Sequence, residues 1–114
     1  MTTIYHNPRC GASRTTLEHL RARGLQPDII LYLETPPDRE RLQRLIKDAG
    51  LSVREALRTK EPEYAELGLD RPETSDEQLL DAMVAHPILI NRPFVVTEKG
   101  TRLCRPASVV EEIL

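Results

Sequence analysis

Residues 2–6, Thr-Thr-Ile-Tyr-His, form a β-branched and aromatic run cut off by Asn7-Pro8, the pattern of a short strand ending in a turn. From Ala12 onward, Leu17 and Leu20 fall on one helical face. Arg21 and Arg23 suit the negative end of a helix, and Gly24 stops it. Residues 28–33, Asp-Ile-Ile-Leu-Tyr-Leu, then read as a second strand with few polar breaks. This strand, helix, strand order constrains the fold more than any other feature, because a right-handed crossover makes the two strands parallel.

The middle of the chain changes character. Thr35-Pro36-Pro37 offers an N-cap and a first-turn proline, and Leu42, Leu45, Ile46 and Ala49 mark a helix ended by Gly50. Ser52 caps a second short helix through Leu57, and residues 61–67 make a third before Gly68. Thr74-Ser75-Asp76-Glu77-Gln78 offers two overlapping capping boxes ahead of Leu79, Leu80, Met83 and Val84. After Pro87 the strand pattern returns. Residues 94–97 and 101–104 flank a Glu98-Lys99-Gly100 turn, and Pro106 opens a last helix with Val109, Val110 and Ile113. The expected fold is therefore α/β: a thioredoxin-like β-α-β / β-β-α core with a four-stranded mixed sheet. Residues 1–114 are read as a single domain, with a helical subdomain of about 36–86 inserted between the second and third strands. Its apolar stripes are too few to stand alone.

A chain of 114 residues buries roughly two-thirds of its unfolded surface on folding. Trp is absent and there is one Phe, so the core is mainly aliphatic. The formal net charge of -2, with no basic run, gives no reason to expect nucleic acid, and any anion must be captured locally. The longest apolar stretches, 29–33 and 87–90, fall far short of the about 20 residues needed to span a bilayer. The first residues have neither the charged start nor the apolar middle of a secretory signal, which makes the cytoplasm the expected location. Two cysteines, Cys10 and Cys104, then read as reduced thiols.

A cysteine at a strand-to-helix turn faces the unpaired N–H groups and positive dipole end of the helix, which favour thiolate and create an anion site. Within His6-Asn7-Pro8-Arg9-Cys10-Gly11-Ala12-Ser13-Arg14, His6 offers either positive charge or a hydrogen bond, or is simply a strand-end residue. Gly11 lets a ligand approach the backbone. Taken alone, Cys10 is as readily a small buried hydrophobe. Ser13 stands where a dithiol motif has its second cysteine, so this motif closes no internal disulfide and a second thiol comes from outside. Arg14 lies four positions after Cys10, not the six of a cysteine-phosphatase loop, so the binding arginines come from elsewhere. Arg92 lies between the apolar runs 87–90 and 94–96, where an unpaired charge is costly unless it faces a site or an anion. Arg92 and Arg105 each precede a proline, which holds them extended. Cys104 is read as a core or strand-face residue, and His19 and His86 lack metal-ligand spacing with the cysteines, so no metal site is expected.

The segment His6 to Arg14, with His86-Pro87-Ile88-Leu89-Ile90-Asn91-Arg92-Pro93 and Thr101-Arg102-Leu103-Cys104-Arg105-Pro106, resembles the bacterial glutaredoxin-dependent arsenate reductases, the ArsC family, nearly end to end. Leu31-Tyr32-Leu33-Glu34-Thr35-Pro36 and Glu66-Leu67-Gly68-Leu69 fit the same pattern. Arg9 departs from it, since a small residue is common there. The resemblance implies that Cys10 is the nucleophile and that Arg58, Arg92 and Arg105 bind the oxyanion, with the backbone at Gly11 contributing. It implies supporting roles for His6 and Ser13 and a cis peptide at Pro93 facing the cysteine.

It further implies reduction of arsenate to arsenite through a covalent Cys10 adduct, with phosphate or sulfate as mimics of the substrate. Glutathione is the co-substrate, glutaredoxin the protein partner, and no cofactor is bound. Two alternatives share the fold. A thiol regulator like the Spx proteins, which bind RNA polymerase, commonly carries a two-cysteine switch, and Ser13 counts against it. A glutaredoxin-like monothiol exchanger uses a cysteine such as Cys10 but needs no set of arginines.

Overall fold

The β-branched opening run becomes strand β1, Thr3–His6. It leads through a turn into helix α1, Gly11–Ala22, and back into strand β2, Asp28–Leu31. The computed structural model describes residues 1–114. These divide into two compact units, Met1–Thr35 with Arg92–Leu114, and Pro36–Asn91.

In the first unit, β3 (Phe94–Thr97) and β4 (Gly100–Leu103) complete a sheet of order β2-β1-β3-β4. β1 and β2 run parallel, as the crossover rule requires, with His6 opposite Leu31. β3 pairs antiparallel with β1, Tyr5 facing Phe94, and with β4, Phe94 facing Leu103. This mixed four-stranded arrangement is the thioredoxin-like core expected from the element order. Period-2 alternation puts Ile4 and Val95 on one face, where they cluster with Leu17 and Leu20 of α1 and with Cys104, Val110 and Ile113. Full burial of aliphatic side chains such as Leu20 and Val110 contributes about 1.5–3 kcal/mol each.

Some boundaries and one helix type differ from the sequence expectation. β2 stops at Leu31 rather than residue 33, because the Leu31 carbonyl accepts from both Glu34 N–H (2.9 Å) and Thr35 N–H (2.8 Å) and turns the chain. α1 ends where expected. Gly24, at φ +77°, takes the left-handed conformation that a side chain disfavours. The last helix, Ala107–Ile113, is 3₁₀ rather than α.

The second unit contains α2 (Arg39–Asp48), α3 (Pro62–Glu66) and α4 (Asp76–Ala85), with 3₁₀ turns at Arg54–Ala56 and Pro87–Leu89. It runs to Asn91, five residues past the expected 86. The apolar stretch before Arg92 is held here: Asn91 N–H donates to the Ala56 carbonyl at 2.9 Å, and Leu57 bridges Ile90. α2 and α4 pack together, and their Leu42, Leu45, Ile46, Leu79, Leu80 and Met83 are buried. No helix is long and apolar enough to cross a membrane.

Candidate active site

Cys10 is the N-cap of α1, at φ −96° and ψ 122°. Its N–H donates to the Asn7 carbonyl at 3.0 Å, and its carbonyl starts the helix by accepting from Arg14 N–H at 3.0 Å. The thiol is thereby directed at the first-turn amides, which have no partner within the helix. Burial pushes the Cys10 thiol up, but a hydrogen bond from the Ser13 N–H, hydrogen bonds from Arg105 and Arg92, and the charge of Arg105 outweigh it. The result lies below the ordinary thiol value. The side chain is 8% exposed, so the favoured anion sits where water screens its partners weakly.

The sheet register explains why these arginines meet the cysteine. Continuing the β3–β4 ladder past Phe94 and Leu103 sets Arg92 opposite Arg105, at the sheet end where β1 delivers Cys10. Arg105 Nη1 donates to Cys10 Sγ at 3.5 Å and to the Arg92 carbonyl at 2.9 Å. Cys104 N–H donates to the Pro93 carbonyl at 2.9 Å, which extends the pairing beyond the strands. Arg92 is buried and Arg105 is exposed. The Arg92–Pro93 peptide is cis, and so is Arg105–Pro106, which the sequence did not suggest.

His6 and Ser13 also come together. His6 Nδ1 lies 2.6 Å from Ser13 Oγ, which also accepts from Asn7 N–H at 3.0 Å. Burial, then the charges of Arg21 and Arg14, hold the His6 ring below its ordinary pKa. In this site the ring makes a hydrogen-bond contact with the Ser13 hydroxyl. Ser13 addresses the thiol through its backbone N–H, while its hydroxyl is turned toward His6 and Asn7.

Gly11, the first residue of α1, is exposed, and a Cβ built there meets only the Arg14 side chain, at 3.8 Å. Arg58 belongs to the second unit. Its Nε donates to Glu61 Oε1 at 3.1 Å, and its N–H donates to the Leu89 carbonyl at 2.7 Å. Cys104 is completely buried, and burial raises its thiol to about 12, with Arg102 opposing and Glu112 adding to the shift. No group of three or more His, Cys, Asp or Glu side chains is arranged to hold a metal ion.

Sequence reasoning took Asn7 only as a turn former and Tyr32 only as a strand residue. In the structure both are buried, and Asn7 Nδ2 donates to Tyr32 Oη at 3.2 Å. Arg14 Nη1 also reaches back to the Pro8 carbonyl at 2.9 Å, bracing the turn. The Asn-Pro step was the available signal for the first of these, but its side-chain partners depend on strand register.

A thiol at a helix N-terminus, beside two arginines brought there by neighbouring strands, can attack an electrophile while its charge partners hold an oxyanion. Residues 5–113 match the model of the ArsC family. An arsenate reductase from Rhizobium meliloti (strain 1021) is 59% identical over 112 residues, covering 98% of this chain and 80% of the relative. One from Escherichia coli (strain K12) is 60% identical over 112 residues, covering 98% and 79%. The structure of an arsenate reductase from Vibrio cholerae superposes with a TM-score of 0.95 at 47% identity, covering 99% of this chain and 97% of that one. On the family match and these near-full-length identities, the chain belongs to the ArsC family.

Proposed function

We propose that the chain reduces arsenate to arsenite, with Cys10 as nucleophile and Arg58, Arg92 and Arg105 as oxyanion-binding groups. The observation that carries this reading is the Cys10 thiol, held below its ordinary range by the Ser13 N–H and the Arg105 and Arg92 guanidinium groups in a chain of the ArsC family. Arg58 is assigned its role on the resemblance of its segment. The Gly11 backbone completes the binding groups, and Pro93, in its cis peptide after Arg92, faces the cysteine. His6 and Ser13 support the turn that holds the thiol.

Arsenate is a tetrahedral oxyanion, and planar guanidinium groups match it by paired, charge-assisted hydrogen bonds; phosphate and sulfate share that geometry. The Cys10 thiolate forms a sulfur–arsenic bond, and one arsenic oxygen, protonated, leaves as water. A glutathione thiolate then attacks the Cys10 sulfur. The electron pair of the sulfur–arsenic bond passes to arsenic, so As(V) becomes As(III), arsenite leaves, and the two thiols are oxidised to a Cys10–glutathione disulfide. Glutaredoxin removes the glutathione by thiol exchange and regenerates Cys10. No bound cofactor takes part. The requirement for reduced thiols fits the cytoplasm.

Arsenite production from arsenate, glutathione and glutaredoxin tests the reading. Turnover is expected in the natural chain and in Cys104→Ala. It is expected to vanish in Cys10→Ser and to fall at least about a hundredfold in Arg92→Ala, through loss of a buried charge-assisted contact. No turnover in the natural chain, with Cys10 still reactive, would overturn the arsenate reading and leave a thiol exchanger or a regulator.

A further inference from the structure

We propose that Tyr32 is a positioning residue for Cys10, acting through Asn7 to hold the turn that presents the thiol. The proposal rests on the reading of Cys10 as the reacting thiolate, and it adds two residues that act behind the turn.

Asn7 is the first residue after β1, and Tyr32 is the first after β2. The parallel register that sets His6 opposite Leu31 carries on to set these two side by side. Asn7 is 2% exposed and Tyr32 1% exposed, so every polar group of Asn7 needs a partner inside the protein. Three of them close the turn itself. The Asn7 carbonyl accepts from Cys10 N–H at 3.0 Å, Oδ1 accepts from Arg9 N–H at 2.9 Å, and N–H donates to Ser13 Oγ at 3.0 Å. The fourth, Nδ2, reaches out of the turn to Tyr32 Oη at 3.2 Å.

That fourth bond sets the orientation of the amide. By accepting from Nδ2, the Tyr32 oxygen keeps Oδ1 on the side of the Arg9 N–H, where a flipped amide would present donor to donor. The Arg9 bond in turn fixes the residue immediately before Cys10. The Cys10 sulfur meets the Ser13 N–H and Arg105 only while this turn keeps its shape. Loss of the tyrosine hydroxyl removes the acceptor of Asn7 Nδ2 and loosens the turn from behind. Tyr32 is thus distinguished from a residue that merely fills space, because its ring can remain while its hydroxyl is removed.

The test is the pH dependence of iodoacetamide alkylation, read separately at Cys10 and Cys104 by peptide mass in the full chain. In Tyr32→Phe the midpoint for Cys10 moves up, and its reactivity near neutral pH falls roughly three- to tenfold, the scale of one hydrogen bond. Cys104 remains unreactive. Asn7→Ser shifts the profile in the same direction, and the double variant goes no further than Asn7→Ser alone, because the Tyr32 contact is one of the two that Asn7→Ser removes. An unchanged Cys10 profile in Tyr32→Phe, or shifts that simply add, would overturn the proposal. Should Tyr32→Phe expose Cys104, Asn7→Ser decides, since it leaves the Tyr32 ring intact: a raised midpoint supports the proposal and an unmoved one overturns it. A natural chain in which Cys10 titrates as an ordinary thiol would instead overturn the reading of Cys10 itself.

Discussion

Arg105 divides one nitrogen between two acceptors: Nη1 meets Cys10 Sγ at 3.5 Å and the Arg92 carbonyl at 2.9 Å. Under the proposed function, Nε and Nη2 are the nitrogens that would meet the oxyanion. A lysine has one ammonium, which can sit near the sulfur but cannot offer the planar fork. Arg105→Lys is therefore expected to keep the Cys10 alkylation profile within about threefold while raising the KM for arsenate about tenfold or more. Arg105→Ala should impair both, and steady-state kinetics run beside alkylation separates the two effects. Cys104 presents the opposite case, with its thiol raised to about 12 by burial. A thiol kept neutral by the fold stabilises it fully below the unfolded thiol pKa, and that contribution is lost as pH rises toward about 12. Urea unfolding at mildly and strongly alkaline pH should show a steeper loss in the natural chain than in Cys104→Ala, which itself costs about 1–2 kcal/mol from the cavity. Cys10 has the reverse sign, because its depressed pKa adds stability as pH rises through the folded value. At this scale the strand-to-helix turn marked Cys10 in the sequence, while the approach of Arg92 and Arg105 to it was signalled by the family resemblance of their segments. The Asn7–Tyr32 contact was not, because it depends on which residues of two strands lie opposite each other.

Among the elements, α4 begins as the sequence indicates. Ser75 Oγ accepts from Gln78 N–H at 3.2 Å, and Gln78 Oε1 accepts from Ser75 N–H at 2.8 Å, closing a capping box. Ser75→Ala should cost about 1 kcal/mol, a fall in Tm of about 4 °C, measurable by thermal melting. The ion pairs of Arg39 with Glu77 and Asp81 join α2 and α4 on an exposed surface, and their removal should matter less. The start of α2 was misjudged for a local reason. Thr35 and Pro36 both precede a proline and are pushed out of helical geometry, so the cap passes to Asp38, whose Oδ1 accepts from Arg41 N–H at 2.8 Å. The last helix was placed correctly but typed wrongly, because an apolar stripe over 107–113 suits either a 3₁₀ or an α turn.

For the whole molecule, strand order and direction followed from the β-α-β opening and the later hairpin, because short connections and crossover handedness leave few alternatives. The helical unit was legible as helices through caps and glycines, but its end at Asn91 was not. Residues 87–91 look like strand by composition and are held instead as a 3₁₀ turn and an isolated bridge. If residues 1–114 act as one domain, helix loss by circular dichroism and exposure of Cys104 to a thiol reagent should coincide along a urea titration. Separated transitions would mean that the two units fold independently. Within the first unit, the Cys10 site and the residues Met1 and Leu114 are at opposite ends of the hairpin. Cys10, Arg92 and Arg105 gather where β3 begins and β4 ends. At the β3–β4 turn, Met1 N pairs with Glu98 at 3.3 Å and Lys99 Nζ donates to the Leu114 carbonyl at 2.7 Å. A strand of four residues, about 13 Å at roughly 3.3 Å per residue, separates them. A tether fixed at Glu98 or Lys99, in the β3–β4 turn, would thus anchor the protein to a bead or electrode by the end of its sheet opposite Cys10.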